Sequence, residues 1–244
     1  MPLGDPAAGD ARLLDTYREA GVAVLEVGLP TPDPWLDGAE VRDSMQRTLD
    51  AGVDPRAVAE RLSGWRRSDR ASAATPAIVW FSYPDLALSA VEHAARLGVI
   101  DGLLMIEPWR HPEAERMPGL MADLGIGSCA FLPWDPTDAD LRAMGAATGY
   151  VMVQARPGRT GATTDADATA VTKQVRLARN LAPGLPVVAG FGIHDAASAR
   201  AILRSGADGV VVGSACIRAA REGATPPLGT LLRELVATAA GVHA

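Results

Sequence analysis

The feature that most constrains this chain is a repeat: short apolar runs alternate with helix-length amphipathic segments along nearly its whole length. The runs are Val22–Val27, Ala77–Phe81, Gly102–Ile106, Ser128–Leu132, Tyr150–Val153, Pro186–Ala189 and Gly209–Val212. Their apolarity is nearly continuous, as a strand covered on both faces requires. Between them, Pro84–Leu97, Thr137–Met144 and Ala166–Asn180 have helical length and patterning. Such a series predicts parallel strands joined by right-handed crossovers. From Ala77 onward the strand starts fall roughly 20 to 40 residues apart, about one βα unit each. Met1–Leu3 offers a weak further start and brings the strands to eight. The expectation is an α/β fold, a (β/α)8 TIM barrel with a shortened or incomplete first strand, forming one domain over residues 1–244. The stretch between Val27 and Ala77 is too long for one helix, so the loop after the strand at 22–27 is enlarged. Loops at strand C-termini carry the chemistry in such barrels.

Composition narrows function by exclusion. Hydrophobic residues make up 48% and charged residues 21%, enough for a core and unlike a disordered chain. The net charge of −6 argues against a nucleic-acid footprint or a polybasic membrane patch. No apolar run reaches the roughly 18 residues of a membrane span. The opening MPLGDPAAGDARLL has neither the basic region nor the apolar core of a signal peptide. With only Cys129 and Cys216 present, both reading as buried fillers, a reducing, cytoplasmic location is expected. His93, His111, His194 and His243 are scattered without metal-ligand spacing, so no metal site is expected. Lys173, the only lysine, falls in mid-helix, where it cannot serve Schiff-base chemistry in a barrel mouth.

Glu26 closes the strand at 22–27 among Val22, Val24, Leu25 and Val27. A carboxylate there is costly to bury, so it is either paired or kept for proton transfer. Asp37 follows in a Pro- and Gly-rich loop able to fold over the barrel mouth. Two carboxylates in unlike surroundings can divide acid–base and electrostatic work; a structural ion pair and a turn aspartate are the plain alternative. Toward the other end, Gly190-Phe191-Gly192-Ile193 and Gly213-Ser214 each follow a strand and open a helix. Backbone N–H groups free of Cβ atoms at helix N-termini form an anion cradle, and the last two loops of these barrels commonly bind phosphate. Tight turns are the alternative there. The run 155–165, ARPGRTGATTD, reads as a lid that orders over an anionic ligand, with Arg156, Arg159, Thr160 and Gly161 as its candidate contacts. His194 flanks a helix start. Trp35, Trp80, Trp109 and Trp134 fall at or just after strand ends, where they line an aromatic ligand's pocket or simply pack.

The segment LEVGLPTPDPWLDGAEVRDSMQRTLDAGV resembles the signature of the tryptophan synthase alpha chain family, roughly E-x-G-x-P-x-S-D-P-x-A-D-G-P-x-I-Q. Leu3-Gly4-Asp5-Pro6 is similar to the end of the family's first strand. Arg156, Gly158, Thr160 and Gly161 resemble its loop after the sixth strand, and GFGI and VGSA its phosphate site. The resemblance implies a cofactor-free lyase that splits indole-3-glycerol phosphate into indole and glyceraldehyde 3-phosphate by retro-aldol chemistry. It implies Glu26 as the acid–base residue and Asp37 as the carboxylate holding the indole N–H. It further implies Gly161, Phe191, Gly192, Gly213 and Ser214 around the phosphate, with Arg156 and Thr160 in the substrate loop.

The departures are equally specific. The family's N-terminal helix and half of its first strand are not found. Its Tyr-Asn-Pro pattern is reduced to Tyr83-Pro84, and its Pro-Asp-Leu-Pro is replaced by Ile106-Glu107-Pro108-Trp109. A tyrosine that approaches the glutamate is Met152 here, while Tyr150 is kept. Pro32, Trp35 and Leu36 replace the motif's Ser, Leu and Ala. Three roles therefore stand open: a stand-alone indole-releasing lyase, an alpha subunit passing indole to a tryptophan synthase beta chain, and a non-catalytic phosphate-ligand-binding or regulatory relative that modulates a beta chain. Both carboxylates at family spacing argue against the last.

Overall fold

In the computed structural model, which describes residues 3–8, 10–68, 75–161, 167–222 and 227–243, the apolar runs become seven strands: β1 (Val24–Gly28), β2 (Ala77–Ser82), β3 (Gly102–Met105), β4 (Gly127–Leu132), β5 (Val151–Gln154), β6 (Val187–Gly190) and β7 (Gly209–Val211). Each pairs in parallel with its neighbour in sequence, giving one curled sheet in the order β1 to β7. The helices are α1 (Asp10–Glu19), α2 (Ala39–Asp50), α3 (Pro55–Ser68), α4 (Leu88–Arg96), α5 (Met117–Leu124), α6 (Asp138–Met144), α7 (Ala168–Leu181), α8 (Ala196–Leu203), α9 (Ser214–Glu222) and α10 (Gly229–His243). The enlarged connection between β1 and β2 is thus a ten-residue loop, 29–38, followed by two helices. None of the helices is long and apolar enough to cross a membrane.

Side chains alternate across the sheet with the period of a pleated strand. Val79, Leu104, Cys129, Phe131, Tyr150 and Met152 meet in one buried cluster inside the curl. Ile78, Trp80, Leu103 and Met105 point the other way, toward the helices. Ala130, Leu132, Val151, Val153 and Val187 do the same on the second half of the sheet. The inner cluster is the floor on which the mouth residues stand.

The eighth strand expected at Met1–Leu3 is not formed where it can be described. Leu3 lies in a turn, Met1 and Pro2 fall outside the described residues, and no described pairing joins β7 to β1. The reason is local. Gly4 takes φ +106, which swings the chain away from an extended path directly after Leu3. Leu3 is still fully buried, in the cluster that holds Leu13, Tyr17, Leu25, Val27 and Cys216.

Asp5 anchors this turn. Its carboxylate accepts Nε and Nη2 of Arg47 at 2.9 and 2.6 Å, together with the Ser44 hydroxyl at 2.5 Å. Burial works to raise its pKa, yet the Arg47 and Ser44 donors hold it below the usual carboxylate range. A forked pair on a buried carboxylate is strong chiefly because breaking it strands a charge. Arg47→Met is therefore expected to destabilise the fold by about 2–4 kcal/mol at neutral pH, read by urea unfolding. Because the folded pKa is depressed, this stability exists above the unfolded-state pKa of Asp5 and is lost as pH falls through the folded one. The difference between wild type and variant should narrow accordingly in acid.

Candidate active site

β1 carries Glu26 to the mouth of the curled sheet, in register with Val79 of β2. The carboxylate is half-buried above the inner cluster, and its Oε1 accepts a hydrogen bond from the Tyr150 hydroxyl. Burial raises the Glu26 pKa, and the phenol's donation opposes that rise only in part. The hydroxyl that meets this carboxylate is that of Tyr150, while Met152 fills the inner cluster.

Asp37 sits at the end of the loop after β1 and is only 4% exposed. Its Oδ2 accepts the Tyr83 hydroxyl at 2.7 Å and its Oδ1 the Thr160 hydroxyl at 3.1 Å. Burial again raises the pKa, opposed by these two donors. A carboxylate has about four acceptor positions, so a further N–H can still be received.

The loop after β1 and the loop after β5 are stitched together over the mouth. The Gly38 N–H donates to Thr160 Oγ1 at 2.8 Å, the Thr160 N–H to Leu36 O at 3.3 Å, and Arg159 Nε to Trp35 O at 3.1 Å. Gly38 is required by contact: a Cβ there would lie 2.1 Å from the Thr160 carbonyl oxygen. The Trp35 ring packs edge-on against Tyr83 at 4.5 Å, with the Arg110 guanidinium 5.0 Å from its centre.

Across the mouth, the ends of β6 and β7 form a cleft with Thr160, Gly161, Gly192, Gly213, Ser214 and Arg218 among its walls. Gly161 and Gly192 take φ +83 and +80, a region that glycine enters without strain. Phe191 takes φ +79, costly for an aromatic residue. It is buried against Phe131, with ring centres 5.7 Å apart, and this packing holds the strained corner. Asp195 caps α8 in a reciprocal box with Ser198, fixing the angle at which that helix meets the cleft. Ser214, the first residue of α9, buries its Oγ with no hydrogen-bond partner among the described residues. An orphaned hydroxyl beside bare backbone corners is what an anion site needs.

Among the other sequence candidates, Arg156 is half-buried and does not line this cleft, and residues 162–166 of the lid run lie outside the described residues. Lys173 is exposed on α7. Burial pushes the Cys129 thiol up to about 12 and the Cys216 thiol to about 11, so neither is a ready nucleophile. Trp80 is fully buried on the helix side of the sheet, Trp109 is exposed, Trp134 is held through its backbone by Gln154 and Gln174, and Trp35 joins the stitched mouth. No group of three or more potential metal ligands occurs among the described residues. Reading the sequence passed over Tyr83 as a partner and Arg218 altogether. Tyr83 carried a usable signal, being the first residue beyond the C-terminal end of β2.

The model of a family described as tryptophan synthase alpha chain matches residues 1–239. A tryptophan synthase alpha chain from Xanthomonas oryzae is 34% identical over 229 residues, covering 91% of this chain and 82% of the relative. One from Burkholderia thailandensis is 32% identical over 243 residues, covering 97% and 87%. A solved Mycobacterium tuberculosis tryptophan synthase superposes with a TM-score of 0.81 at 26% identity, over 98% of this chain and 90% of that one.

Proposed function

We infer from the tryptophan synthase alpha chain family, to which this chain belongs, that it is a lyase cleaving indole-3-glycerol phosphate into indole and glyceraldehyde 3-phosphate. One observation carries the residue roles. Thr160 hydrogen-bonds the Asp37 carboxylate and also lines the glycine-cornered cleft, so one loop ties the carboxylate end of the mouth to the anion end. A molecule with an aromatic head and a phosphate tail spans these ends.

Glu26 is the acid and then the base. Burial raises its pKa and so favours the protonated form, whose proton goes to C3 of the indole. Protonated there, the ring carries positive charge at its nitrogen. The carboxylate left behind takes the proton of the hydroxyl on the carbon attached to C3. As that carbon becomes an aldehyde, the bond to C3 breaks and its electron pair returns to the ring, giving indole. Glu26 ends protonated as it began. Asp37 receives the indole N–H and stabilises the charge developing there. The cleft at Gly161, Phe191, Gly192, Gly213 and Ser214 holds the phosphate, which supplies orientation from outside the reacting bond. Nothing in this arrangement favours a non-catalytic relative.

The test is release of indole from indole-3-glycerol phosphate by the purified chain alone; no release, with the fold intact, overturns the reading. Asp37→Asn is expected to lower kcat about 10²–10³-fold, as loss of a fixed charge at a developing cation does. The asparagine carbonyl can still accept the Tyr83 hydroxyl, so the melting temperature should stay close to that of wild type. A beta chain as partner belongs to the same proposal, supported by the family, and is tested by co-purification and by whether indole release changes on mixing. The two buried free cysteines fit a reducing, cytoplasmic location.

A further inference from the structure

The cleft at β6 and β7 contains a cation that none of the roles above uses. Arg218 lies four residues after Ser214 on α9, so the two share a helix face and both line the cleft. Arg218 is half-buried and, among the described residues, makes no hydrogen bond or ion pair, not even with Glu222 one turn further on. Every other polar group here is weak or already committed. The glycine corners and helix ends present only partial charges. His194 points Nδ1 at the Gly192 carbonyl, 3.1 Å away, and stands with Nε2 3.6 Å from Asp195 Oδ2. Asp195 itself adds a negative charge at the α8 cap. A phosphate monoester near neutrality carries between one and a half and two charges. The corners alone would leave most of that charge uncompensated in a chain already at −6.

We propose that Arg218 is the charge partner of the substrate's phosphate and makes this cleft select a doubly charged tail over a neutral one. The inference rests on the cleft being the phosphate site. Arg218 does not touch the reacting bond; it sets affinity and discrimination. Its fork can pair with two phosphate oxygens while the Ser214 hydroxyl and the backbone corners take the rest.

The experiment measures glycerol 3-phosphate and glycerol binding by calorimetry, and indole release, for wild type, Arg218→Met and Arg218→Lys. Arg218→Met should bind glycerol 3-phosphate about 10–100-fold more weakly, with a shallower dependence on salt. The loss in kcat/KM should appear as a raised KM. Arg218→Lys should recover much of the affinity, which a merely structural arginine would not require. Equal glycerol 3-phosphate affinity in wild type and Arg218→Met overturns the role of Arg218 and leaves the phosphate site standing. No binding by folded wild type overturns the phosphate site itself. Should Arg218→Met fail to fold, Arg218→Gln replaces it under the same criteria.

Discussion

Glu26→Gln will fold, bind glycerol 3-phosphate as wild type does, and release indole about 10³–10⁴ times more slowly. The substitution keeps the shape and keeps a carbonyl oxygen for the Tyr150 hydroxyl. It removes the only function asked of this side chain, giving a proton to carbon and taking one from oxygen. General acid–base catalysis is worth roughly 10²–10⁴, and here one group serves in both directions, so the upper part of that range applies. The same variant should be more stable at pH 8. Burial holds the Glu26 pKa above its unfolded value, so the folded state binds that proton more tightly. The cost of ionising it is absent below the unfolded pKa and grows as pH rises through the folded one. Glutamine escapes that cost. Its melting temperature should exceed that of wild type by a few degrees at pH 8, since one kcal/mol is about 2–4 °C in a chain this long, and the gap should close near pH 4. An active Glu26→Gln protein removes the mechanism; an inactive one with no pH-dependent gain in stability means that burial does not tune the group.

The residues legible in the sequence share a property: each violated its own neighbourhood. Glu26 stood out as a carboxylate inside an apolar run, and the glycines at 190, 192 and 213 as breaks after strands. Seven strands were legible because parallel strands covered on both faces must be continuously apolar. The eighth was not, since it depended on the conformation of one residue, Gly4. What stayed hidden was relational. Asp37 and Thr160 are 123 residues apart, and nothing local to either announces their hydrogen bond. Tyr150 and Glu26 are 124 apart, and the tyrosine passes for a core residue until the curl of the sheet turns it inward. Arg218 resembles any arginine on an amphipathic helix. Only the position of α9 against the cleft distinguishes it.

Gly38→Ala tests whether the stitched loops serve catalysis, and it should cost about 10²-fold in kcat/KM. Gly38 has φ −82 and ψ 178, a conformation alanine adopts freely, so the substitution strains no dihedral. Its whole effect comes from a methyl group placed 2.1 Å from the Thr160 carbonyl oxygen. Both atoms belong to the chain's framework and no rotamer relieves them, so the loops must part by more than an ångström. Parting them breaks the Gly38 to Thr160 bond and removes one of the two hydroxyls that fix Asp37. A displacement of that size at a positioning contact typically costs about two orders of magnitude. The core beneath is untouched, so the melting temperature should move by no more than about 2 °C. Thr160→Val supplies the complementary variant: it keeps the shape, deletes the hydroxyl, and should lose activity without forcing the loops apart. If Gly38→Ala retains activity within about threefold while Thr160→Val does not, the hydroxyl matters and the closure does not; if both retain it, the contact between these loops is packing alone.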